Sequence, residues 1–185
     1  MGRIARRDDR RVALLRGVNV GTAKRVAMAD LRKLFEELGY DDVRTLLNSG
    51  NVVFTVRKAA SRDHAARAQK AIADRLGIRS RVVVLTRQEV ADAVAANPLT
   101  SVADNPSRLL VLACADSRGI AQLEPLLEQR WSPEALALGQ RVAYLWCARG
   151  IGVSRLWTMV NRAIGDGGTA RNIATMNRLL TMLDE

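Results

Sequence analysis

The sequence predicts an α+β protein made of two ferredoxin-like (split βαβ) halves with antiparallel sheets, plus a C-terminal helix. Three observations carry that prediction. Short apolar runs and helix-period segments follow each other in the order β-α-β-β-α-β across residues 11–85, which is the order of a split βαβ motif. Residues 109–163 repeat the order β-α-β-β-α. Between the two, the stretch Asn97 to Ser107 contains the pairs Asn97-Pro98 and Asn105-Pro106 and reads as a connector.

Arg11 to Leu15 is an apolar strand that runs into the turn Arg16-Gly17-Val18-Asn19-Val20-Gly21. Met28, Leu31, Leu34, Phe35 and Leu38 then recur at helix period, and Gly39 stops the helix. Val43 to Leu47 and Val52 to Val56 are short strands joined by Asn48-Ser49-Gly50-Asn51, residues that tolerate positive φ in a tight turn. Asp63 to Leu76 is a helix closed by Gly77, and Arg81 to Leu85 is the fourth strand. Thr86, with Glu89 three residues on, forms a capping box that opens a third helix to about Ala96. In the second half, Leu109 to Ala113 is a strand, Ile120 to Gln129 a helix, and Ala135 to Leu138 and Val142 to Cys147 a strand pair. Arg155 to Ala163 is a helix, Gly165 to Gly168 breaks it, and Thr169 to Leu183 is the last helix, standing where a fourth strand would be. The pattern reads as a duplication. The expected divisions are a basic tail at 1–10, halves at 11–96 and 108–185, and the connector at 97–107.

In a split βαβ unit the first and third strands are central, adjacent and antiparallel. Arg16–Gly21 and Asn48–Asn51 should therefore meet at one edge of the first sheet. Leu31, Leu34, Phe35, Leu38, Val53 and Leu110 are the expected core, and His64, in a polar helical stretch, is expected to be largely exposed.

At 185 residues a chain buries roughly 70% of its unfolded surface, enough for a real core. It is 48% hydrophobic and 26% charged, without the run of about 18 apolar residues that spans a membrane. Met1 to Arg11 lacks the apolar core of a secretory signal. Cys114 and Cys147 sit in apolar runs and read as buried thiols, which suits a cytoplasmic protein. The 29 basic and 19 acidic residues give a net charge of +10. That charge fits nucleic acid, a phosphorylated ligand or an anionic surface. It fits equally an Arg- and Ala-rich composition, since the arginines are scattered rather than blocked.

Several chemistries are excluded. Gly17 to Lys24 is not a P-loop, because no Gly-Lys-Ser/Thr follows, and Gly150-Ile151-Gly152 lacks the third glycine of a dinucleotide fingerprint. An RNA-recognition sheet needs aromatics on its first and third strands, and these strands offer only Phe54. His64 is the sole histidine, which argues against a Ser-His-Asp triad and, with no Cys/His cluster, against a metal site. Cys147 precedes Arg149 and a helix start, conditions that can activate a thiol, but its strand position favours the core.

What remains is a polar constellation. The first half supplies Arg16, Gly17, Asn19, Gly21, Asn48, Ser49 and Asn51. The second supplies Arg149, Gly150, Ser154, Arg155, Thr169, Arg171 and Asn172. Ser154 and Thr169 read as helix N-caps, and arginines beside caps reinforce a helix end that already attracts anions. Arg171, in the first turn of the last helix, is the expected phosphate contact. The expected function is binding of an anionic or phosphorylated ligand, a nucleotide or nucleic-acid backbone, at this Gly/Asn/Arg-rich edge. The alternatives are an enzyme that stabilises an anion with Arg and Asn, for which no catalytic residue is assigned, and a protein-interaction scaffold. No cofactor, metal or membrane partner is expected, and a monomer is the default.

Leu15-Arg16-Gly17-Val18-Asn19-Val20-Gly21, the Met28–Leu38 helix and Asn48-Ser49-Gly50-Asn51-Val52-Val53-Phe54 closely resemble the bacterial family called domain of unknown function 1697. Gly150-Ile151-Gly152-Val153-Ser154-Arg155 and Thr169-Ala170-Arg171-Asn172 look like its C-terminal motifs. Two positions depart from it. Thr22-Ala23-Lys24 stands where a second glycine is more frequent, and Ile173 where Trp is common. The resemblance implies an α+β fold on ferredoxin-like halves and no established activity.

Overall fold

The computed structural model describes residues 9–21, 25–57 and 63–185. The tail expected at 1–10 lies outside these residues up to position 8, and Thr22-Ala23-Lys24 lies outside them too. The described chain forms two compact units. Unit 1 is Met1–Val90 with Leu179–Glu185, and unit 2 is Ala91–Arg178.

Unit 1 holds β1 (Arg10–Leu15), α1 (Met28–Glu37), β2 (Asp41–Leu46), β3 (Asn51–Thr55), α2 (His64–Leu76) and β4 (Val82–Thr86). Helix α3 (Arg87–Ala95) follows. The sheet order is β2-β3-β1-β4, all antiparallel, with Leu14 opposite Asn51 and Leu15 opposite Val82. The split βαβ reading thus holds, including the antiparallel β1–β3 pair. Local signals act as read. Asp63 accepts from Ala66 N–H to start α2, and Gly77 ends it at φ 66°. Thr86 and Glu89 exchange hydrogen bonds of 2.8 and 3.0 Å as a capping box.

Alternation along each strand divides the sheet faces. Ala13, Leu15, Val52, Phe54 and Val82 pack on Leu31, Leu34 and Phe35 of α1 and Ala68 and Ile72 of α2. Leu38, expected in the core, is half-buried at the end of α1. The opposite face, with Val12, Leu14, Val53, Val83 and Leu85, is also buried. Arg10 donates to the Leu183 carbonyl (3.0 Å) and Arg44 to the Met182 carbonyl (2.6 Å). These guanidiniums satisfy carbonyls that a helix end leaves without partners.

Unit 2 holds β5 (Leu109–Cys114), α4 (Ser117–Leu123), a 3-10 turn (Glu124–Glu128), β6 (Ala135–Leu138), β7 (Val142–Trp146), α5 (Arg155–Ile164) and β8 (Gly168–Asn172). Helix α6 (Ile173–Asp184) begins in unit 2. The sheet order β6-β7-β5-β8 repeats that of unit 1. Two expectations change. The helix expected at 120–129 starts at Ser117, capped by Asp116, and tightens to 3-10 at Glu124. There Pro125 has no N–H to donate to the carbonyl four residues back. More consequentially, Thr169 to Asn172 is strand, not helix. Unit 2 therefore has its fourth strand, and the duplication covers the full β-α-β-β-α-β order. Leu110, Leu112, Ala143 and Leu145 face α4 and α5, while the Tyr144 hydroxyl donates to the Ala93 carbonyl of α3 at 2.9 Å. Cys114 and Cys147 are buried free thiols, and burial lifts the Cys114 thiol to about 11. Among the described residues no helix is long and apolar enough to cross a membrane.

Candidate functional site

Antiparallel pairing brings three connections to one end of the unit 1 sheet: the β1 exit, the β2–β3 turn and the α2–β4 link. Leu15 N–H donates to Gly50 C=O and Arg16 N–H to Arg81 C=O, each at 2.9 Å. The Ser80 hydroxyl donates to the Arg16 carbonyl at 2.8 Å. The expected meeting of Arg16–Gly21 with Asn48–Asn51 is therefore realised.

Most of the polar residues in this motif hold the backbone. Asn19, at φ 54°, donates to the carbonyls of Val26 (2.9 Å) and Asn48 (2.6 Å) and accepts from Val26 N–H at 2.8 Å. Asn51 is fully buried and donates to Leu46 C=O (2.8 Å) and Ser49 Oγ (2.9 Å). Gly50, at φ 74°, lies so close to the β1 exit that a Cβ would stand 2.5 Å from Val18 Cγ2 and 2.8 Å from Leu15 Cβ. These residues frame the end of the sheet. Exposed beside them are Gly17, Gly21, Val20 (69%), Leu47 (49%), Asn48, Arg25 and Arg81. The Arg25 guanidinium reaches the Gly21 carbonyl at 3.4 Å.

Sequence reasoning missed the start of α1. Its N-cap is Ala27, which offers no side-chain acceptor, and no side chain among the described residues accepts from the N–H groups of its first turn. Every other α-helix has such an acceptor: Asp63, Glu89 with Thr86, Asp116, Ser154 and Asn172. The signal was present in the sequence, since Arg25-Val26-Ala27 precedes the apolar period with no Ser, Thr, Asp or Asn at the cap.

In unit 2 the expected residues separate. Gly150, at φ 96°, starts a 3-10 turn (Ile151–Val153) after β7. Ser154 caps α5 as expected, accepting from Trp157 N–H at 2.9 Å. That helix start is already filled, because Glu134 accepts from Leu156 N–H at 2.9 Å. Arg155 lies over the Trp131 ring, 5.3 Å from its centroid, a pairing the sequence did not reveal. Thr169 and Arg171 stand on β8, separated from β7 by β5. Thr169 is not a cap: it is 3% exposed in mid-strand. Arg171, opposite Val111, is 9% exposed, donates to Thr169 Oγ1 (3.0 Å) and Ala170 C=O (2.8 Å), and is pushed down to about 10 by burial. The expected phosphate contact at a helix start is therefore a buried strand residue. Asn172 takes the cap role instead, accepting from Thr175 N–H at 2.8 Å.

His64 is half-buried rather than largely exposed. Its Nδ1 is 3.0 Å from the Tyr40 hydroxyl, and its ring meets Tyr40 and Phe54 edge-on. Burial lowers its pKa, aided by the charges of Arg11 and Arg67. No Asp, Glu, Cys and His grouping among the described residues is suited to hold a metal.

Two antiparallel split βαβ units, each closed by a helix, define the chain as a duplicated ferredoxin-like α+β protein. It belongs to the family described as Protein of unknown function DUF1697, whose model matches residues 9–144. The segments 150–155 and 169–172 lie outside that match. The structure of a conserved bacterial protein from Streptococcus pneumoniae shares the fold, with TM-score 0.74 and 22% identity over 94% of this chain and 98% of that one. No curated protein matches the sequence.

Proposed function

We propose that the protein binds an anionic, phosphorylated ligand, a nucleotide or a stretch of nucleic-acid backbone, at the β1-exit end of unit 1. The observation that carries this reading is the start of α1, which no side chain among the described residues caps, beside an all-cationic set of loops. Residues 16–27, 47–50 and 77–81 contribute Arg16, Lys24, Arg25, Arg79 and Arg81 and no Asp or Glu. Helix N–H groups without internal partners, together with the partial positive charge of the helix end, favour phosphate oxygens there. Arg25, just ahead of those N–H groups, can add a two-pronged contact.

The test is calorimetric titration with inorganic phosphate and with nucleoside mono- and triphosphates. Binding is expected to weaken roughly 10- to 150-fold in Arg25→Ala, the loss of a charge-assisted hydrogen bond. Arg25→Lys should recover only part of it, because the fork is gone. Absence of binding by the wild type, or equal affinities in all three proteins, overturns the reading.

A further inference from the structure

Unit 2 has its own cationic surface, at the end of the sheet where β7 leaves and β5 begins. Arg108, the residue before β5, is exposed and donates to the Ala148 carbonyl at 3.0 Å. Next to Ala148 stands Arg149, exposed. The 3-10 turn that follows exposes Ile151 (44%) and Val153 (74%). Beyond it, exposed Arg155 lies over Trp131 and reaches Gln129 Oε1 at 3.4 Å. Trp131 is fixed in place by its indole N–H, which donates to the Leu126 carbonyl at 2.8 Å, and Arg130 precedes it in the chain. None of these four arginines is within ion-pair distance of a carboxylate among the described residues. The carboxylate of Glu134 is committed to the start of α5.

We propose that this strip binds single-stranded nucleic acid. Three features point to that partner. Arginines spaced along a strand exit offer phosphate contacts in a row. A guanidinium lying over an indole ring presents a planar cation beside an aromatic group, a pair on which an unpaired base can stack. Ile151 and Val153, standing out between the arginines, supply apolar contact for base faces, which a small inorganic anion would not use. A duplex hides its base faces and gains nothing from the stacked pair. The inference does not rest on the unit 1 reading, since it uses a different unit and different residues.

The experiment is a fluorescence-anisotropy titration of the full chain with labelled oligothymidylate across a salt series. A duplex of the same length and inorganic polyphosphate serve as competitors. Four phosphate contacts predict a slope of log K against log salt of about −3. Arg149→Ala should reduce that slope by about 0.7. Arg155→Lys keeps the charge but loses the plane, so the slope stays and affinity falls roughly 5- to 100-fold. Val153→Ser, at an exposed position, tests the apolar contact and should weaken oligothymidylate without weakening polyphosphate. The proposal is overturned if Arg155→Lys binds like wild type. It is also overturned if duplex or polyphosphate competes as well as the single strand, which would reveal only a surface attracting any polyanion.

Discussion

Arg171 offers the sharpest test of the account of unit 2. In the middle of β8 it is 9% exposed, with hydrogen bonds to Thr169 Oγ1 and the Ala170 carbonyl. Burial pushes its pKa down to about 10, a cost to the cation on the order of 3 kcal/mol at about 1.4 kcal/mol per pH unit. Two charge-assisted bonds return about 3–6 kcal/mol. Truncation to Ala loses those bonds, relieves the desolvation and leaves a void on the order of 2–3 kcal/mol, a net loss of about 2–6 kcal/mol. Arg171→Met keeps the volume, so it should be about 2–3 kcal/mol more stable than Arg171→Ala. Trp131, Trp146 and Trp157 are the only tryptophans, and all lie in unit 2. Tryptophan fluorescence therefore reports unfolding of the unit that holds Arg171. With a urea slope of about 2 kcal/mol per molar, the Ala midpoint should fall by about 1–3 M. An unchanged midpoint in Arg171→Ala would refute the buried, bonded arginine. A Met variant no better than Ala would show that the guanidinium, not its volume, is what the face requires.

Three further outcomes are expected. Gly50→Ala forces a Cβ into the 2.5 Å approach to Val18 at φ 74° and should cost roughly 2–5 kcal/mol, read by far-ultraviolet circular dichroism in urea; a change under about 0.5 kcal/mol would contradict the close approach. Asn19→Ala removes three hydrogen bonds, about 2–3 kcal/mol in all, and should speed hydrogen exchange at the Val26 amide, whose protection would otherwise stay as it is. His64 has a lowered folded pKa, so the unfolded chain binds its proton first. Stability should then fall as pH drops below about 6.5 and continue falling until the folded pKa is passed. His64→Gln should flatten that part of the pH profile, and a profile identical to wild type would remove His64 as its source.

Much of the fold was legible because its elements announce themselves locally. Short apolar strand runs, Ser154 at its cap, Gly77 behind α2 and the Thr86–Glu89 box all act as their chemistry dictates. β8 was not legible. Thr169-Ala170-Arg171-Asn172 carries cap-forming residues and a charge, and neither marks a buried strand. Its burial comes from pairing with β5 and packing on the face of the sheet away from α4 and α5, which no local pattern encodes. His64 was misjudged for the same reason: Tyr40 and Phe54, from different parts of the chain, close around it. At the candidate site the turn residues were legible as a group, but their division of labour was not. Asn19 and Asn51 spend their amides on the backbone, and the open donors belong to a helix start whose Ala cap attracts no notice.

The Asn19 clamp also separates shape from content. Its amide ties residue 19 to residue 26 in both directions and to the neighbouring turn at Asn48, so the chain between is closed at its base before its own sequence matters. Loop closure costs grow slowly with length, and a base fixed in this way isolates the sheet register from what is placed beyond it. Exchanging or lengthening the segment between Gly21 and Arg25 should therefore leave the scaffold intact. An engineer could graft a peptide at the same point.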